Sequence, residues 1–168
     1  MIKLSPFEIT DFEQLASWAE TEEILMQFAG PAYQFPLTKE QVQDSLAEAD
    51  RLLFKVVDQA SGNTIGHAQI LNKEHSFSLG RIIIGDKLYR GKGIGQILVR
   101  QLLEYGFMNL DQEIAELNVF DWNVAAVKCY EKIGFKINPD VSYQREVKGE
   151  IWTAVNMKIS RALYHALR

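Results

Sequence analysis

Six consecutive residues, Arg90-Gly91-Lys92-Gly93-Ile94-Gly95, combine three glycines with two cations. Without side chains in the way, successive backbone N–H groups can converge on one point, and that point suits an anion. An apolar run, Arg81-Ile82-Ile83-Ile84, precedes this loop, and an amphipathic segment from Ile94 to about Leu110 follows it. The order is strand, loop, helix. A helix that begins at the loop adds unpaired N–H groups and a positive dipole end, while Arg90 and Lys92 add formal charge. Phosphate or pyrophosphate is the expected ligand group, and the alternative is a glycine-rich turn with exposed basic residues.

Two familiar nucleotide motifs fail here. A Walker loop closes on Gly-Lys-Ser/Thr, whereas this one closes on Gly93-Ile94-Gly95-Gln96. A dinucleotide fingerprint needs a third glycine where counting from Gly91 or Gly93 finds Gln96 or Leu98. With 168 residues, 47% of them hydrophobic, one domain covering 1–168 is expected. The net charge of -4 weighs against a general nucleic-acid or anionic-membrane binder, yet leaves room for a local basic patch. No apolar run approaches a membrane span, and Met1-Ile2-Lys3-Leu4-Ser5-Pro6 lacks a secretory pattern, so a cytoplasmic location is expected. Cys129 is the sole cysteine, and His67, His75 and His165 lack ligand spacing, so no metal is expected.

The elements that must position the loop follow from periodicity and punctuation. Ile2 to Leu4 reads as a strand. Thr10-x-x-Glu13 has the form of a capping box for a helix running to about Glu20, and a second helix covers Glu22 to Phe28. Thr38-x-x-Gln41 caps another that reaches Ala49. Three strands, Leu52 to Asp58, Thr64 to Leu71 and Phe77 to Ile84, have short links that predict an antiparallel meander. In the helix after the loop, Ile94, Leu98 and Leu102 share a face with Ile97 alongside, and Arg100, Gln101 and Glu104 point outward. Ile114 to Phe120 is the next strand, and Asn123 to Ile133 a helix ended by Gly134. Strands near Phe135 to Ile137 or beyond and at Ile151 to Ile159 complete a mixed α/β pattern, with a short helix within Ser160 to Arg168.

The loop after Ile82-Ile83-Ile84, with Leu117-Asn118-Val119-Phe120-Asp121-Trp122-Asn123 and then Ala126, Tyr130, Gly134 and Phe135 downstream, resembles the GNAT superfamily of acetyl-CoA-dependent N-acetyltransferases. The match spans roughly residues 52 to 159 by element order. Trp18, Phe28, Gly30-Pro31 and the aromatic run through Phe35 look like the subgroup containing ribosomal-protein N-terminal acetyltransferases and related small-amine enzymes. The resemblance implies an α/β (α+β) fold, a central mixed and mostly antiparallel sheet flanked by helices, with a splayed strand pair holding the cofactor. It further implies that the main chain of Ile82, Ile83 and Ile84 pairs with the pantetheine arm of acetyl-CoA. The N–H groups of residues 90 to 95 would then hold its pyrophosphate. An ordinary buried strand accounts equally well for the isoleucines.

Asn123 stands where the family often has an asparagine touching the cofactor arm; it is also a suitable N-cap, and the two roles are compatible. Tyr130 lies two helical turns further along the same face, where the family often places the proton donor to the departing thiolate; a core aromatic is the alternative. The implied reaction is direct attack by a neutral primary amine, from a small molecule or a peptide N-terminus, with strand N–H groups stabilising the oxyanion. Some members carry a glutamate base where this chain has Asn118, and an amide cannot serve. Glu116, two residues earlier on the same strand face, is the candidate acting through water, with Glu74 and Asp86 as further carboxylates; each is otherwise a surface charge. Trp18, Phe28, Tyr33 and Phe35 are candidate acceptor-pocket residues or core. The acidic balance suits cationic acceptors such as polyamines, aminoglycosides or basic peptides. A non-catalytic acetyl-CoA sensor is the competing function, and the chain is expected to be a monomer or a homodimer.

Overall fold

Arg51–Asp58, Thr64–Asn72 and Phe77–Ile84 form three strands, β2, β3 and β4, joined as an antiparallel meander behind β1 (Ile2–Pro6). Burial alternates along β4, whereas β3 is buried without a break from Ile65 to Ile70 because helices cover both of its faces. The computed structural model describes residues 1–168. β5 (Ile114–Phe120) lies parallel to β4, a pairing that requires a crossover, and the helix after the glycine loop supplies it. β6 (Lys136–Val147) and β7 (Glu150–Ser160) form a hairpin whose second strand pairs with β5. The seven strands are ordered β1-β2-β3-β4-β5-β7-β6, with β4–β5 the one parallel contact, so the sheet is mixed and mostly antiparallel.

Helices cover both faces. On one side α1 (Phe12–Trp18), α2 (Glu22–Ala29) and α3 (Lys39–Ala47) bury Leu15, Leu25 and Val42 against Leu53 and Ile83. On the other, α4 (Ile94–Asn109) and α5 (Val124–Ile133), with the short terminal α6 (Arg161–Ala166), close over Phe77, Leu79 and Leu117. Close approach of α4 to the sheet depends on Gly106, where a Cβ would lie 2.3 Å from the Phe77 ring.

Several local expectations are corrected. The helix opens at Phe12 after a 3-10 turn rather than from a Thr10/Glu13 box, and the Glu8 N–H donates to the Asp11 carboxylate at 2.9 Å instead. On α4 the buried stripe runs through Leu98, Val99, Leu102, Leu103 and Phe107, which leaves Ile97 42% exposed on the flank. Gln101 does not face outward: its amide donates to the Ile2 carbonyl at 3.1 Å and ties α4 to β1. β6 runs much further than its apolar start at Phe135 to Ile137 suggests, because it is a sheet edge. An edge strand tolerates Pro139 and charged residues, and here it carries an irregularity between Asn138 and Ser142. No helix is long and apolar enough to cross a membrane.

Candidate active site

The site begins with an irregularity in β4. Gly80 pairs with Gln69 and Ile83 with His67, so Arg81 and Ile82 together oppose the single residue Ala68. This bulge places Arg81 at φ +50, and the extra residue reverses the strand's alternation. Before it, Phe77 and Leu79 face α4; after it, Ile82 and Ile84 pack on that side while Ile83 turns to the N-terminal helices. Pairing with β5 stops at the same place. Only Phe77, Ser78 and Leu79 are in register with Ala115, Glu116 and Leu117, and the main chain from Gly80 to Ile84 has no strand partner on its β5 side. The strands diverge around a cleft of about 760 Å³.

The glycine loop closes one end of this cleft. Gly91 and Gly93 adopt φ +73 and +76, left-handed conformations that strain any L side chain, and Gly93 is the N-cap of α4. The N–H groups of residues 91–95 donate no backbone hydrogen bond, and the space where a Cβ of Gly91, Gly93 or Gly95 would stand is empty to 4 Å. That is an open cradle of donors. Arg90 fixes the loop to the end of β4, its guanidinium donating to the Ile84 carbonyl at 2.9 Å and the Gly85 carbonyl at 3.2 Å. Tyr89 fixes it to the β2–β3 turn by donating to Asp58 at 2.9 Å. Hydrogen bonds from Ser61 and Tyr89 hold the Asp58 carboxyl down to about 2.

The opposite wall is α5. Asn123 caps it, accepting from the Ala126 N–H at 3.3 Å, and its side chain lines the cleft. Tyr130 also lines the cleft with its hydroxyl unbonded to protein, and burial pushes its phenol well above the ordinary value, so it stays protonated at neutral pH. Ile82, Ile83, Ile84, Arg90, Ile94 and the three loop glycines all line the cleft. Lys92 is exposed at the loop tip and does not line the cleft.

Glu116 is not brought to the cleft either. Its carboxylate is bound by Lys73 at 2.5 Å and Ser76 at 3.2 Å, on the side of the sheet end away from the loop. Burial raises its pKa, but the Lys73 ion pair, Ser76 and Asn156 outweigh that and hold it below the ordinary value. Asn118, one pleat further along the same face, does line the cleft, between Leu117 and Val119, and accepts from Asn156 at 3.0 Å. Asp86 caps the turn before the loop, accepting from the Leu88 N–H at 2.9 Å, and Glu74 is exposed beside His75. No Asp or Glu lines the cleft.

A second cavity of about 250 Å³ joins the cleft at Gly80, Arg81 and Asn118. The end of α2 with Gln27 and Phe28, the following Gly30-Pro31-Ala32 turn, and Tyr143 and Arg145 of β6 enclose it. Of the aromatic candidates only Phe28 lines these spaces. Trp18 packs over Gly85, where a Cβ would lie 1.9 Å from the indole; Tyr33 is buried against Arg81; Phe35 is exposed. Sequence reasoning missed the bulge, although an isolated glycine in a strand, Gly80, signals one. It also missed Lys128 and Lys132, neighbours one turn apart on α5 that bring cations to the cleft, and the arginines of the second cavity. Those arginines meet only across the fold, so spacing offers no signal for them. The net negative charge belongs to the chain as a whole, whereas the charged residues lining these two spaces are all Arg or Lys.

Free donors on the loop, an open β4 edge and the cations Arg90, Lys128 and Lys132 fit a long ligand with phosphate at one end and amides along its arm. Residues 2–136 match the family model described as an acetyltransferase (GNAT) domain. Spermidine N(1)-acetyltransferase of Escherichia coli strain K12 is 23% identical over 98% of this chain and 89% of its own length. A spermine/spermidine N(1)-acetyltransferase of Bacillus subtilis strain 168 is 28% identical over 45% of this chain, which spans about half (49%) of that relative. Among solved structures, spermidine N-acetyltransferase from Vibrio cholerae in complex with CoA and spermine superposes with a TM-score of 0.81, 23% identity and 98% coverage of both chains. The aminoglycoside acetyltransferase AAC(6')-Ib in complex with coenzyme A gives 0.76 at 20% identity, covering 99% of this chain and 98% of its own. With its glycine cradle, splayed β4–β5 pair and matched family model, this chain belongs to the GNAT family of acetyltransferases, whose cosubstrate is acetyl-CoA.

Proposed function

We propose that this protein transfers the acetyl group of acetyl-CoA to a primary amine of a small molecule by direct attack. The observation that carries the reading is the continuity of two spaces, a cleft ending in the anion cradle and a small second cavity, which meet at Gly80, Arg81 and Asn118. Acetyl-CoA supplies the activated thioester. The N–H groups of residues 91–95 hold the pyrophosphate, and Arg90, Lys128 and Lys132 complement the phosphate charge. The open edge of β4 at Ile82 to Ile84 receives the amide-bearing arm, while unpaired N–H groups beside the bulge stabilise negative charge on the reacting carbonyl oxygen. Asn123 caps α5 through its oxygen and presents its remaining amide to the cleft. Tyr130 gives its proton to the leaving thiolate.

No carboxylate stands in the cleft, so the acceptor loses its ammonium proton to water before attack. Relatives named for spermidine and spermine and a neighbour named for aminoglycosides support a small-molecule amine over a peptide N-terminus. The limited second cavity supports the same choice. Thiol release from acetyl-CoA across polyamines, aminoglycosides, amino acids and short peptides tests the proposal. Release with a small amine is expected. Tight coenzyme A binding with no release from any acceptor would instead favour the sensor reading, which the absence of a carboxylate base keeps in view.

A further inference from the structure

We infer that the acceptor amine also carries an anionic group, a carboxylate or a phosphate, held by Arg81 and Arg145 in the second cavity. This rests on the proposed transfer to a small-molecule amine and narrows its substrate class. Arg51, Arg81 and Arg145 are the charged residues lining that cavity, and no Asp or Glu lines it or the adjoining cleft. In a chain of net charge -4, the negative charge is carried elsewhere.

Arg81 is the central observation. It is 9% exposed, yet no carboxylate pairs with it. Its hydrogen bonds all leave from Nη1, to the Tyr33 hydroxyl at 3.0 Å, Ser45 at 2.8 Å and Gln69 at 2.6 Å. The Tyr33 ring lies 4.2 Å beneath the guanidinium. Neutral oxygens and an aromatic face fix the group's orientation without cancelling its charge, and Nε and Nη2 have no protein partner. A buried, oriented, uncompensated cation is stabilised when an anion arrives. The residue also occupies φ +50 at the bulge, a conformation unusual for a side chain of this size, so the strand deforms where this guanidinium is presented.

Arg145, on the edge strand β6, repeats the pattern at the same cavity. Its Nη1 donates to the Gln144 carbonyl at 2.8 Å, while its Nε is buried without any partner. Arg51, by contrast, is matched by Glu48 at 2.7 Å, so Arg81 and Arg145 are the two left unmatched. The cosubstrate's phosphates do not account for them. Those groups belong at the loop beyond Ile84, whereas Arg81 stands at the opposite end of the free stretch of β4, where the two spaces join. Forked guanidinium donors suit a carboxylate or phosphate and repel an acceptor that carries only ammonium groups.

The test is thiol release from acetyl-CoA by the wild-type protein with amino acids, their methyl esters, aminoalkyl phosphates and spermidine. The acids or the phosphates are expected to exceed the matching neutral amines and spermidine by about tenfold or more in kcat/KM. Which of the two leads identifies the anion. In Arg145→Gln the acid-to-ester preference should fall about tenfold through KM, and Arg145→Lys should recover part of it. Spermidine or the esters used as well as the acids would overturn this inference while leaving amine acetylation intact. Bound coenzyme A with no release from any amine would overturn both.

Discussion

Tyr130 is the residue on which the chemistry of departure rests. Its hydroxyl has no protein partner, and burial keeps it protonated. Tyr130→Phe is therefore expected to lower kcat by about a hundredfold without changing coenzyme A affinity. Normal turnover would remove the assignment. The attacking side predicts a different signature. With no carboxylate in the cleft, kcat/KM should rise with pH up to the acceptor's own pKa, and Glu116→Gln should trace the same profile. A plateau that vanishes in Glu116→Gln would return that residue to the mechanism. Spacing along β5 correctly puts Glu116 and Asn118 on one face, but only the fold shows that Lys73 and Ser76 draw Glu116 away from the cleft.

At the scale of elements, β4, the loop and α4 act as one unit, and much of that unit is legible in the sequence. Phe77–Ile84 and Ile114–Phe120 have the expected bounds, and the glycine run places the start of α4 at Ile94. What is hidden is the departure from regularity. A bulge at Arg81 depends on how β4 pairs with β3, a non-local matter, and the divergence from β5 follows from where that pairing ends. β6 is hidden for another reason. An exposed edge strand buries too little for an alternating apolar pattern. The loop itself makes a testable element. Gly93→Val puts a β-branched side chain at φ +76 and into the cradle, so coenzyme A affinity should fall about tenfold or more while circular dichroism shows the fold retained. Unchanged affinity would mean that the phosphates bind elsewhere.

Across the whole molecule, the polar layer under the N-terminal helices links stability to pH. His67 is 1% exposed; desolvation chiefly, with the nearby Arg81 charge, lowers its pKa to about 3. The unfolded chain thus binds the proton that the folded chain refuses. Stability is unaffected above the ordinary histidine value of 6.5 and declines as pH falls towards 3, by up to about 1.4 kcal/mol per pH unit. Asp58, with its pKa depressed from 3.8 to about 2, adds a loss confined to that lower window. Denaturant midpoints should therefore fall between about pH 6.5 and 5, before most carboxylates titrate, and stay flatter in His67→Gln. Equal acid sensitivity in both proteins would contradict the linkage. The same layer holds Arg81 through Tyr33, Ser45 and Gln69, so the N-terminal helices both cover the sheet and orient a group at the site.

The most direct measurement is amide NMR of the uniformly labelled protein during titration with coenzyme A. The account predicts that the largest shifts fall on the N–H groups of residues 91–95 and on the open edge of β4 from Gly80 to Ile84, with saturation at one equivalent. Saturable binding that leaves both segments unmoved would contradict it.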